Sequence, residues 1–187
     1  MESLNLFMVL VGCKPKGRHT EQHDVFFTIG KNLKEIVPQI KSFWKDSGSM
    51  HLDAWREVTH INGFHIAVEP KKKKAVSKSE WQLFFINLGG YKPEILEEFH
   101  YKMLVIAKTK AEAIRSAKET AFYKHTGFKG AASHIDDKYG IDIDDIYQIE
   151  DILPKAIKKA FEINIQPQVT DTQDKLHIGY TMLSKIK

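Results

Sequence analysis

The chain has one cysteine, Cys13, in 187 residues. No internal disulfide framework can form, and a reducing compartment, the cytoplasm, is the expected setting. Long apolar runs are missing as well. The first apolar stretch spans only Leu6 to Val11 and lacks a basic leader. That is too short for a signal core or a membrane span, and no later stretch comes nearer, so no membrane is expected. The sequence contains no Walker loop, no Rossmann fingerprint and no serine-hydrolase elbow. Nor is there a large surplus of charge. The formal net charge of +4 equals the single run Lys71–Lys74, and outside that run basic and acidic side chains balance. A polyanion binder should spread its basic groups over a face or groove. The run is therefore expected to be a solvated loop, and nucleic-acid binding through it ranks last among the functional readings.

What is present is repetition. Hydrophobic side chains make up 42% of the chain, enough for a real core. Leu6-Phe7-Met8-Val9-Leu10-Val11-Gly12 matches Leu83-Phe84-Phe85-Ile86-Asn87-Leu88-Gly89, two short apolar runs that end in glycine and read as strands. Lys14-Pro15 answers Lys92-Pro93, and Glu21-Gln22-His23 answers Glu98-Phe99-His100. Val25 to Ile29 and Lys102 to Ile106 form a second strand in each copy. A capped helix follows, at Asn32-Leu33-Lys34-Glu35 and Thr109-Lys110-Ala111-Glu112. In each, the cap oxygen accepts from the first turn and the glutamate reaches back to the cap. The second helix should bury Ala111, Ile114, Ala117 and Ala121; the first should bury Ile36, Ile40, Phe43 and Trp44, with Pro38 kinking or delaying it. His51-Leu52-Asp53 then answers His134-Ile135-Asp136. Gly63 to Val68 and Ile146 to Ile149 are expected to be the closing strands.

The expected fold is α+β: two tandem strand-strand-helix-strand repeats related by a pseudo-two-fold and packed as one domain. Copy one covers residues 1–70, a basic linker 71–80, copy two 81–153, and a C-terminal helix and strand extension 154–187.

The order of these motifs resembles a bacterial family, domain of unknown function 1543. Its pattern runs from an apolar strand into Gly-x-Lys-Pro, then Glu-x-His-Asp, then His-x-Asp and an aromatic. Gly12-Cys13-Lys14-Pro15, Glu21-Gln22-His23-Asp24 and His51-Leu52-Asp53-Ala54-Trp55 carry it in the first copy. Gly90-Tyr91-Lys92-Pro93, Glu98-Phe99-His100 and His134-Ile135-Asp136 carry it in the second, where Tyr101 replaces the Asp24 position. The resemblance covers roughly residues 6–150 and implies one or two copies of the unit in a bacterial protein. It implies no activity.

The candidate site residues are Glu21, His23, His51 and Asp53 with Glu98, His100, His134 and Asp136. Spacing of i, i+2 on a strand puts each pair on one face. Two imidazoles and two carboxylates per copy could hold a divalent metal such as zinc, iron or manganese. The plainer reading is that each histidine donates to a carboxylate and pins its segment to the sheet. Function is therefore expected to be a non-catalytic binding or interaction module with a site between the repeats, for a small ligand or a protein; an oligomer is compatible with it. The alternative is a small metal-assisted hydrolytic enzyme using the same residues. Cys13 reads as a small buried thiol, His19, His60, His65, His125 and His177 as surface or satisfied histidines, and Trp44, Trp55 and Trp81 as core or interface.

Overall fold

The computed structural model describes residues 3–45, 47–71, 79–91, 94–120, 142–168 and 172–186. The chain divides into two compact units, Met1–Ser77 with Ile152–Lys187, and Lys78–Asp151. The C-terminal extension thus belongs to the first unit.

In the first unit, β1 (Asn5–Cys13), β2 (Gln22–Gly30), α1 (Leu33–Phe43) and β3 (Met50–Val58) follow in order. With β10 (His177–Met182) they build an antiparallel sheet in the order β10-β3-β1-β2. Alternation along β1 sorts its residues. Phe7, Val9, Val11 and Cys13 face the core shared with Ile36, Ile40, Met50, Leu52 and Leu183. The intervening residues, Gly12 among them, face the other way. Helix α1 buries Ile36 and Ile40, one turn apart, while Phe43 is exposed and Trp44 half-buried. Asn32 caps it: its Oδ1 accepts from the Glu35 N–H at 3.0 Å. Glu35 Oε2 reaches back one residue further than expected, to the Lys31 N–H at 2.6 Å. The helix continues through Pro38, and the Gln39 amide donates to the Ile29 carbonyl at 3.2 Å, tying helix to strand.

In the second unit, β6 (Gln82–Tyr91), β7 (Glu98–Ala107), α2 (Lys110–Glu119) and β8 (Asp142–Gln148) form a sheet in the order β7-β6-β8. Phe84, Ile86 and Leu88 pack with Val105, Ala107, Ala113 and Ala117. The buried face of α2 is therefore Ala113 and Ala117; Ala111 is exposed and Ile114 half-buried, and Ala121 lies outside the described residues. Thr109 Oγ1 accepts from the Glu112 N–H at 3.2 Å, and Glu112 Oε2 from the Lys108 N–H at 3.0 Å, the same box as at Asn32.

The closing strands differ from expectation. β8 pairs with β6 as β3 pairs with β1, so the counterpart of β8 is β3 and Ile149 already begins a short helix, α3 (Ile149–Ile152). Residues near Gly63 join a separate sheet in the order β4-β5-β9, with β4 (His60–Ile61), β5 (Phe64–Pro70) and β9 (Phe161–Pro167). Hydrophobic alternation alone could not distinguish two strands that both end their apolar runs near the helix.

Candidate metal centre

The candidate site of the first unit stands on the sheet face turned away from α1. In register, Gly12 lies opposite His23 on one side and His51 on the other. Directly opposed residues project to the same face, so both imidazoles lean over the glycine. The missing side chain is required: a Cβ on Gly12 would lie 2.3 Å from His51 Nε2 and 2.9 Å from Asp53 Oδ2. The β1–β3 register steps from Leu10 opposite Ala54 to Val11 opposite Leu52. Asp53 is the extra residue of this bulge, and bulges re-aim side chains. Glu21 enters from the residue before β2.

The four side chains converge. His23 Nε2 is 3.1 Å from Asp53 Oδ2 and 3.7 Å from Glu21 Oε2. His51 Nε2 is 3.4 Å from Asp53 Oδ1 and 3.5 Å from Glu21 Oε1. His51 Nε2 and Asp53 Oδ2 are both buried and have no hydrogen-bond partner. His51 is 3% exposed, and the ring of Tyr180 from β10 stacks on it at 4.3 Å. His23 and Glu21 are exposed, so the cluster opens to solvent on their side.

The second unit carries a comparable cluster. Gly89 lies opposite His100, and His100 Nε2 is 3.6 Å from Glu98 Oε2 and 3.2 Å from Asp144 Oδ2. Asp144 is the extra residue of a bulge between Asn87 and Leu88, the position Asp53 holds in β3. A Cβ on Gly89 would lie 2.2 Å from Asp144 Oδ2. The register place of His51 is taken by Asp142. His134 and Asp136 lie outside the described residues; in register, Asp142 and Asp144 hold beside β6 the places that His51 and Asp53 hold beside β1. Asp144 was missed because His134-Ile135-Asp136 repeats the letters of the first motif. The alternation Ile141-Asp142-Ile143-Asp144, running into Asp145-Ile146, is the signal that locates it.

Residues 18–68 match the family model Domain of Unknown Function (DUF1543). The matched segment runs from the residues before β2 into β5 and contains Glu21, His23, His51 and Asp53, so the family resemblance holds for the part of the chain that carries the first cluster. No curated protein matches the chain. Among solved structures, the chain is similar to protein Il1583 from Idiomarina loihiensis, with a TM-score of 0.62 and 18% identity over 97% of this chain and 99% of that one. At that identity the likeness is one of fold.

Outside this cluster, the remaining candidates have ordinary surroundings. Cys13 is fully buried on the core face; burial first and the charge of Glu21 second push its thiol above the usual range, the reverse of an activated nucleophile. His177 stacks flat on Trp55 at 3.9 Å, and Lys108 lies 5.0 Å from the centre of the Trp81 ring. Lys71 donates to the Lys158 carbonyl at 3.1 Å, while Lys72 to Lys74 lie outside the described residues, as do His125, Lys92 and Pro93. One structural site had no local signal. The Asp174 side chain, 2% exposed, accepts from the Thr59 N–H at 3.1 Å, the Thr59 hydroxyl at 2.6 Å and the His60 N–H at 3.0 Å. It fastens the C-terminal tail to the turn after β3. Among the described residues, no helix is long and apolar enough to cross a membrane.

Proposed function

We propose that the chain consists of two copies of one α+β unit and acts as a non-catalytic binding module. Its principal site is formed by Glu21, His23, His51 and Asp53 within the first unit. The observation that supports this reading is the buried His51 Nε2, which faces the carboxylates of Glu21 and Asp53 without a hydrogen bond. A buried polar atom left unsatisfied costs about 1–3 kcal/mol. A cluster that served only to hold β2 against β3 would be expected to satisfy it. A cluster that keeps its lone pairs aimed at a common point is arranged for an occupant. Since the converging atoms are carboxylate oxygens and imidazole nitrogens, the occupant is an acceptor of electron pairs.

The test is the stability of the ligand-free protein. Asp53→Asn is close to isosteric and removes one of two carboxylates that crowd the same imidazoles. In a binding site this substitution leaves the denaturation midpoint unchanged or raises it, because the electrostatic strain of the empty cluster is relieved. In a pinning cluster it lowers stability by about 1–3 kcal/mol. A loss of that size in chelator-treated protein would overturn the binding reading.

A further inference from the structure

We infer that the first unit holds one divalent transition-metal ion of the zinc class, ligated by His23, His51 and a carboxylate oxygen of Glu21, with the Asp53 carboxylate beside both imidazoles. This rests on the binding-module reading and gives it a ligand.

Spacing is the first argument. The four nitrogen–oxygen separations in the cluster lie between 3.1 and 3.7 Å. The ligand atoms of Glu21, His23 and His51 all fall within 4.8 Å of one another. A tetrahedral ion with bonds of about 2.0–2.1 Å to nitrogen and oxygen holds its ligand atoms about 3.3–3.4 Å apart. An ammonium group donating to the same atoms at about 2.8 Å would spread them to about 4.6 Å. The nitrogen–oxygen separations are close to those of ligands around a single ion and shorter than those around an ammonium group. The floor agrees, since not even a methyl group fits on Gly12 below the cluster.

The second argument is independent of the carboxylates. His51 is buried, its ring is held under Tyr180, and its Nε2 points into the cluster without a hydrogen-bond partner. A neutral imidazole in that place offers a lone pair that an ion would accept. Charge supplies the third. Two carboxylates and two neutral imidazoles sum to a charge that a dication cancels. Two nitrogen donors favour zinc and its neighbours over magnesium or calcium, which take oxygen sets.

The experiment uses the full chain, stripped with a chelator and then dialysed. Zn2+ is titrated in competition with a chromophoric chelator, Mg2+ is run in parallel, and the thermal midpoint is followed in both. The expected result is saturable Zn2+ binding with a raised midpoint and no response to millimolar Mg2+. Asp53→Asn and Glu21→Gln should each weaken Zn2+ binding by about 10–100-fold. Glu21 is exposed, so its variant is expected to fold even where substitution at His51 fails to. Absence of Zn2+ binding by the wild type would overturn the inference, and so would binding that survives both substitutions. If zinc fails while Asp53→Asn remains neutral or stabilising without ligand, the binding module stands and the metal falls. If Asp53→Asn destabilises the ligand-free chain, both fall.

Discussion

The two units place similar chemistry on similar sheet frames, yet among the described residues only the first buries a histidine there. In both, a glycine on the central strand sits opposite a histidine on its neighbour, and a bulged aspartate on the third strand leans over that glycine. In the first unit the position beside the aspartate is His51, covered by Tyr180; in the second it is Asp142. The sheet of the first unit has a fourth strand, β10, beyond β3, while that of the second ends at β8 among the described residues. The difference teaches that the frame is set by glycine and bulge, whereas the donor set depends on one register position and on what covers it. An imidazole without a partner at that position needs a ligand or a cover.

The comparison can be broken most severely at the tail, which supplies that cover. Asp174→Ala should leave the Thr59 and His60 N–H groups without their acceptor, at a cost of about 3 kcal/mol. Urea denaturation of the full chain measures it. A change within experimental error would mean that the tail is not an integral part of the first unit. Next in size is the glycine pair. Gly12→Ala drives a methyl group into His51, whose buried, stacked ring has nowhere to turn, and should cost about 2–3 kcal/mol. Gly89→Ala meets the end of the Asp144 side chain, which is 24% exposed and can rotate toward solvent, so about 1 kcal/mol is expected. Equal losses at the two glycines would show that the frames are equally tight and that burial of the histidine does not distinguish them.

What could be read in advance follows the range of the interactions. The strands β1, β2, β6 and β7, both helices and their caps depend on neighbours in sequence, and alternation and capping residues announce them. Glu21, His23, His51 and Asp53 could be listed from their i, i+2 spacing, but the bulge that aims Asp53 and the position of Glu21 before β2 could not. The second unit's aspartate was not among them. Its place is fixed by pairing with β6 and by a bulge; the alternation around Asp142 and Asp144 marks a strand there, but His134-Ile135-Asp136 offers a closer match in letters. Tyr180 and Asp174 were invisible, since each acts on a strand or turn more than a hundred residues before it. The face of α2 was misjudged by part of a turn, because small residues at Ala111, Ala113 and Ala117 fit more than one stripe and the sheet alone selects among them.

The smallest expected effect concerns the cover itself. Tyr180 is 65% exposed, so its contribution comes chiefly from the face it lays on His51 rather than from burial of its own surface. Tyr180→Ala should therefore cost only about 0.5–1.5 kcal/mol of stability in the ligand-free chain, while Tyr180→Phe, which keeps the ring, should be close to neutral. The substitution also admits water to one face of the His51 ring. Water reaching Nε2 would satisfy part of its hydrogen bonding and lower the incentive to bind an ion. The two variants should then separate in a zinc titration as well, with Tyr180→Ala weaker than the wild type and Tyr180→Phe equal to it. If both variants matched the wild type in stability and in zinc affinity, the stacked ring would be incidental. The contrast between the units would then reduce to His51 against Asp142 alone.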